Sequence, residues 1–270
     1  MAMLEIKNLT KVYPDGTVAL KDVSFTVEDG SFLVIIGLSG SGKSTLLRCI
    51  NRLIDPTEGE ILWDGVDLAK LKGEELRKAR RQIGMIFQQF NLVKRSNVIT
   101  NVMAGRLGYS PTWSSVLGKF SAADVSKGKA AMDRMGIRDL AAKRGDELSG
   151  GQQQRVGIAR ALMQDPRIIL ADEPVASLDP VLAHSILTHL ETLNHEDGIT
   201  ILCSLHYLDL VQRYASHVIG LRAGKLVYEG SGEDIRQMTD EEFKRIYGEE
   251  AERMGEITGS VAGHREAAHD

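Results

Sequence analysis

Residues 31–54 read "SFLVIIGLSGSGKSTLLRCINRLI", and this stretch decides the fold. Phe32 to Ile36 form an unbroken apolar run that stops at Gly37, the pattern of a strand buried on both faces of a parallel sheet. The next residues, "GLSGSGKS", fit the spacing G-x-x-x-x-G-K-[ST] with Gly37, Gly42, Lys43 and Ser44. Glycines let a backbone loop wrap a phosphate, a lysine there reaches the β- and γ-oxygens, and the serine hydroxyl suits Mg²⁺. "LLRCINRLI" then shows helical spacing and predicts a helix ending near Asp55-Pro56. Strand, glycine loop and helix occur in the order that phosphate binding requires.

Outward from this core, "MLEIKNL", "VALKDVSFTV" and "GEILWDG" alternate with period two and are separated by turn signals, so they predict short strands. "RIILADEP" (167–174) and "ITILCSLH" (199–206) predict two more buried central strands. The helical stretch "VLAHSILTHLETLNHEDG" lies between them, which implies a parallel sheet with crossovers. From about 90 to 145 the apolar runs weaken and helix-like blocks such as "AADVSKGKAAMDRMG" take over, as in an inserted helical subdomain. "KLKGEELRKARR" (70–81) is basic, but Glu74 and Glu75 dilute it, and it reads as a solvated helix face. The C-terminal "MGEITGSVAGHREAAHD" is small, polar and unpatterned, and predicts a frayed tail.

The chain's 270 residues are 43% hydrophobic and 26% charged, ordinary values for a globular protein. A net charge of −4 argues against a nucleic-acid binder working through bulk electrostatics. Cys49 and Cys203 are far apart, lack metal-ligand spacing and sit among apolar residues, so they read as small hydrophobes. "MAMLEIKNLT" lacks the regions of a signal peptide. No apolar run approaches the ~18–20 residues that span a bilayer. A cytosolic protein that meets a membrane only through a partner is the expectation.

Several further residues carry chemistry. Asp172 and Glu173 end an apolar strand, where paired carboxylates are costly to desolvate unless a cation or hydrogen bonds meet them. Asp172 fits a partner of Mg²⁺, and Glu173 fits a base that orients an attacking water. Gln88, in "IFQQF", stands where a strand gives way to the helical insert and can reach the metal or the water. Asp179 in "SLDP" follows the acid strand and equally suits a helix start. His206 can hydrogen-bond a γ-phosphate or be a bystander. Tyr13, in "KVYPDG", offers a ring for adenine or is a plain strand aromatic. "LSGGQ" (148–152) opens an amphipathic helix on two glycines behind Ser149, a second anion site.

The order of these features, from P-loop through glutamine, "LSGGQ", acid strand and "SLDP" to histidine, resembles the ATP-binding-cassette ATPases over residues 3–248. The resemblance implies an α/β fold: a RecA-like P-loop core, an N-terminal antiparallel β-subdomain and an inserted α-helical subdomain. It divides a single 1–248 domain into 1–88 with 164–248 and a helical 89–163, leaving 249–270 as a flexible tail. ATP and Mg²⁺ are the implied cofactors. Tyr13 becomes the A-loop aromatic. Gly37, Ser39, Gly40, Ser41, Gly42, Lys43, Ser44 and Thr45 become the Walker A loop. Gln88 is the Q-loop, residues 168–173 are Walker B and His206 is the switch histidine. Ser177, Leu178 and Asp179 form the D-loop. Ser44, Gln88 and Asp172 would hold the metal; Glu173, His206 and Gln88 would serve catalysis.

In that family two cassettes pack head to tail, and the signature of one binds the γ-phosphate held by the other's P-loop. Leu148, Ser149, Gly150, Gly151 and Gln152 would therefore serve a second copy's ATP. One P-loop, one signature and no spans resemble a bacterial importer subunit, peripheral on the cytoplasmic face of the inner membrane. Its partners would be permease subunits and, indirectly, a periplasmic binding protein, with no nucleic acid. "GRLGYSPTWSSVLGKFS" (105–121), "EDGITILCSLHYLDLVQRYASHVIGLRAGKLVYEG" (196–230) and "ASLDP" resemble the phosphonate-importer ATPases more closely. In the first, Tyr109, Trp113 and Phe120 suit a protein-facing patch beside the Q-loop. Other small polar solutes (phosphite, phosphate, a polar amino acid) and a soluble, non-transport ATPase are the alternatives.

Overall fold

The computed structural model describes residues 2–109 and 120–248, so Trp113 and the 249–270 tail lie outside the described residues. β1 (Ala2–Val12) and β2 (Val18–Glu28) pair antiparallel around a turn in which the Gly16 N–H donates to Tyr13 O at 2.9 Å. β3 (Phe32–Ile36) leaves for a second sheet, while β4 (Glu58–Trp63) returns to β1 and β5 (Val66–Asp67) closes the order β2-β1-β4-β5. The predicted short strands are all present, and they pair antiparallel as the family resemblance implies.

The second sheet has six strands. β6 (Ile83–Ile86), β7 (Ile168–Ala171), β8 (Thr200–Ser204), β9 (His217–Arg222) and β10 (Lys225–Gly230) join β3 in the order β10-β9-β3-β8-β7-β6. All neighbours are parallel except the β10 edge. β3 sits between two parallel neighbours, and its side chains divide between two cores. Leu33 and Ile35 pack toward the antiparallel sheet with Leu46, Leu170 and Ile219. Phe32, Val34 and Ile36 face the other side with Ile169, Cys203 and Val218. This double burial is why the run has no polar alternation.

α1 (Lys43–Ile50) follows the glycine loop but ends five residues earlier than its apolar spacing predicts. The Asn51 side chain accepts the Leu53 N–H at 3.0 Å, and Arg52 turns to φ 56, so local side-chain bonding replaces the next helical turn. Leu53 is consequently exposed. α2 (Gly73–Arg81) buries no residue, in keeping with a solvated basic face. Between β6 and β7 the chain builds α3 (Val98–Met103), α4 (Ala122–Arg134) and α5 (Gly150–Leu162), which pack through Val98, Val102, Met132 and Val156. α6 (Pro180–Asp197) crosses from β7 to β8 and stops at Gly198, whose φ of 67 is the left-handed cap glycine supplies freely. α7 (Leu208–Tyr214), α8 (Gly232–Arg236) and α9 (Asp240–Tyr247) complete the chain. Among the described residues no helix is long and apolar enough to cross a membrane.

Candidate nucleotide-binding and catalytic site

The glycine loop leaves the C-terminal end of β3 and is pressed against its surroundings. A Cβ at Gly37 would lie 2.2 Å from Leu221 O, and one at Gly42 2.6 Å from Ala19 O; both residues have positive φ. Neither position can carry a side chain. Ser39 and Gly40 form the exposed tip, and a Cβ at Gly40 would meet nothing within 4 Å. Ser41 is 4% exposed, and its hydroxyl has no hydrogen-bond partner among the described residues.

Lys43 is also buried and donates from Nζ to Gly37 O (2.8 Å) and Leu38 O (2.9 Å). Burial lowers its pKa, and the charges of Glu173 and Asp172 partly oppose that shift. A loop of this kind, with an orphan buried hydroxyl and a buried ammonium whose hydrogen bonds go to two loop carbonyls, fits a phosphate chain. Tyr13 stands beside it, its Oη 3.3 Å from Thr45 Oγ1.

The acid pair arrives from β7, which pairs with β6 so that the Asp172 N–H donates to Ile86 O at 2.9 Å. Asp172 is 2% exposed, and both its oxygens are engaged. Oδ1 accepts from Ser44 Oγ at 2.7 Å, and Oδ2 accepts from Arg48 Nη2 at 3.2 Å. Ser44 and Arg48 are four residues apart on α1 and therefore share a face. The hydroxyl and carboxylate of Ser44 and Asp172 are the hard oxygen donors that Mg²⁺ prefers, so the residues present fit the metal.

Glu173 adopts φ 49, a left-handed conformation that costs about 1–2 kcal/mol for a residue with a Cβ. Its N–H is held by Ser204 Oγ at 2.8 Å. Its Oε1 lies 2.5 Å from His206 Nε2 and 3.8 Å from Lys43 Nζ. Lys43, Ser44, Asp172, Glu173 and His206 thus converge at the C-terminal ends of β3, β7 and β8, where open parallel sheets bind ligands.

Other residues singled out from the sequence stand apart from this cluster. Gln88 is exposed, two residues beyond Ile86, and its amide makes no hydrogen bond to the described residues. Ser149 caps α5, accepting from Gln152 N while Gln152 Oε1 accepts from Ser149 N at 3.0 Å. The amides of Gly150 and Gly151 open the helix and have no partner inside it. Leu148 is buried behind them. A Cβ on Gly150 would meet Leu178 (3.3 Å) and Phe90 (3.7 Å), so Leu178 lies close to Gly150 within the same chain. Ser177 is exposed, and Asp179 caps α6 by accepting from Leu182 N at 3.0 Å. Among the described residues no hydrogen bond or ion pair joins Leu148–Gln152 or Ser177–Asp179 to the glycine loop.

Two participants were not foreseen. Arg48 was legible in principle, one turn beyond Ser44. Ser204 is a polar residue inside an apolar strand, a signal visible only once β8 is placed beside β7.

A glycine loop between β3 and α1, with acids at the end of a neighbouring strand, defines a P-loop nucleotide-binding protein. More particularly, the chain belongs to the ABC transporter family, whose model matches residues 20–176. It is 54% identical to the phosphonates import ATP-binding protein PhnC of Staphylococcus saprophyticus, over 94% of this chain and 99% of that one. The PhnC of Staphylococcus aureus is 52% identical over the same shares. A dimeric structure of a bacterial ABC transporter cassette shares 37% identity at a TM-score of 0.76, covering 85% of this chain and 98% of that one. CbiO1 of Clostridium perfringens, part of the cbiONQ transporter complex, shares 30% identity at a TM-score of 0.76, covering 96% and 99%. The chain is an ABC ATPase with the cassette fold expected from its sequence.

Proposed function

We propose that the chain is the ATP-hydrolysing subunit of a phosphonate importer, working beneath a separate permease at the cytoplasmic face of the bacterial membrane. The observation that carries the cargo is the 54% identity to a phosphonate-import subunit along nearly the full length of both chains. The chemistry rests on the cluster around Lys43.

Lys43 exchanges the carbonyls of Gly37 and Leu38 for β- and γ-phosphate oxygens. The loop from Gly37 to Thr45, including Ser39, Gly40, Ser41 and Gly42, wraps the phosphates, and Tyr13 takes the adenine. Ser44, Asp172 and Gln88 would hold Mg²⁺, which neutralises phosphate charge when bound. Glu173 orients the attacking water through its carboxylate and accepts its proton. His206 turns from Glu173 toward the γ-phosphate. Leu148–Gln152 completes the site of a second copy, with Gly150 and Gly151 presenting free amides to that copy's nucleotide. Ser177–Asp179 lies at the same junction. Within this reading, 89–163 moves as a helical unit against 1–88 and 164–248, and it meets the permease.

The test is ATP hydrolysis in proteoliposomes that carry the genetically neighbouring permease and its binding protein. A small alkyl- or aminoalkylphosphonate stimulates turnover, phosphite substitutes, and polar amino acids do not. Stimulation by an amino acid and by no phosphonate would refute the cargo and leave the ATPase standing.

A further inference from the structure

We propose that Arg160 is a positioning residue for hydrolysis: from the last turn of α5 its guanidinium holds the turn that carries Gln88. The proposal rests on the role given to Gln88 above. The turn is strained. Phe90 and Asn91 have φ of 57 and 49, two successive side-chain-bearing residues in the left-handed region. Arg160 Nη2 donates to Phe90 O at 2.9 Å and Nη1 donates to Asn91 O at 2.6 Å. One planar fork therefore clasps the carbonyls of both strained residues.

No carboxylate among the described residues is paired with Arg160, and burial alone lowers its pKa. A partly buried guanidinium whose hydrogen bonds among the described residues go to these two carbonyls is a specific arrangement. The other end of the same helix lies close to the turn, since a Cβ built on Gly150 would meet the Phe90 ring at 3.7 Å. α5 thus holds the residues after Gln88 through Arg160 and runs close beside them at Gly150. Arg160 also lines an open groove with Arg77, Arg80, Arg81 and Tyr109, and among the described residues no acidic one lines that groove. Solvent-borne groups can therefore reach the clasp.

Arg160→Met keeps the apolar stem and removes both donors. In the full-length protein it lowers kcat about tenfold, the scale of a displaced positioning group, while KM for MgATP stays within about twofold because the P-loop is untouched. Arg160→Lys restores part of the loss, since one ammonium cannot span two carbonyls with fork geometry. The double variant Arg160→Met with Gln88→Ala turns over no more slowly than Gln88→Ala alone, as two residues on one path require. Amide exchange over residues 87–92 quickens roughly tenfold in Arg160→Met, while β3 and the glycine loop exchange as in wild type.

Unchanged exchange over 87–92 overturns the clasp. Faster exchange with wild-type kcat overturns the positioning role, as do losses that multiply in the double variant. If Arg160→Met does not fold, Arg160→Lys carries the same comparisons. Wild-type turnover by Gln88→Ala sinks the role of Gln88 instead, and the exchange measurement still judges the clasp.

Discussion

Glu173 and His206 meet across neighbouring parallel strands, Oε1 and Nε2 being 2.5 Å apart. β7 pairs with β8 so that Ala171 faces Cys203, which brings the residues just beyond both strand ends together. Because a carboxylate only accepts, the imidazole Nε2–H is the donor. Lys43 Nζ stands 3.8 Å from the same oxygen. The carboxylate of the candidate base is therefore held between an imidazole and an ammonium.

That arrangement makes Glu173→Gln the most direct test of the chemistry. The amide keeps the shape and the contact with Ser204, since that contact is made by the backbone. MgATP binding persists, whereas turnover falls about 10²–10⁴-fold, the usual loss of a positioned base. On size exclusion with MgATP the variant accumulates as a dimer and wild type returns to monomer. Near-normal hydrolysis would remove Glu173 from the role of base.

Much of this was legible because the site is built from contiguous motifs at strand ends. β3 announced itself by double burial, and Asp172 with Glu173 by the cost of placing two acids after an apolar run. What escaped depends on tertiary neighbours. Ser204 matters because β8 lies beside β7, and Arg160 because the turn at Phe90 folds back on α5. The end of α1 was misplaced because Asn51 offers the backbone a local acceptor that apolar spacing does not register. Asp179 shows only the helix-cap bonding that its place before a proline-led helix already suits.

Mixing two crippled chains tests that interface. Lys43→Ala removes the buried ammonium and with it nucleotide affinity. Ser149→Arg places a bulky cation at the cap of α5, so the chain binds nucleotide and fails to close. Together they assemble one composite site from an intact glycine loop and an intact signature, and ATP-dependent dimerisation recovers in part. If Ser149→Arg alone dimerises on ATP as wild type does, the signature does not contact a partner's nucleotide.

The cysteines give a prediction with a pH sign. Cys49 and Cys203 are fully buried, and burial pushes the Cys49 thiol up to about 11 and raises that of Cys203 as well. The thiolate is the reactive form. At pH 8 iodoacetamide leaves the folded protein unlabelled and alkylates both residues in denaturant. For Cys49 the folded pKa lies above its ordinary 9.0, so its stabilising contribution is complete below pH 9 and is lost as pH rises toward 11. Native labelling at the unfolded rate would show that these core positions open.

Ser204 separates a positioning contact from general stability. It is fully buried, and its hydroxyl is the acceptor for the N–H of Glu173, a residue already in a left-handed conformation. Ser204→Ala leaves that donor unpaired, which costs about 1–3 kcal/mol, so the melting temperature falls. Turnover falls too, because the carboxylate is no longer directed at the same point, while KM for MgATP holds because Lys43 and Ser44 are unaltered. In a Glu173→Gln background the thermal loss from Ser204→Ala remains and the kinetic loss disappears, since the group it positions no longer acts as a base. Equal kinetic losses in both backgrounds would mean that Ser204 acts through the fold alone.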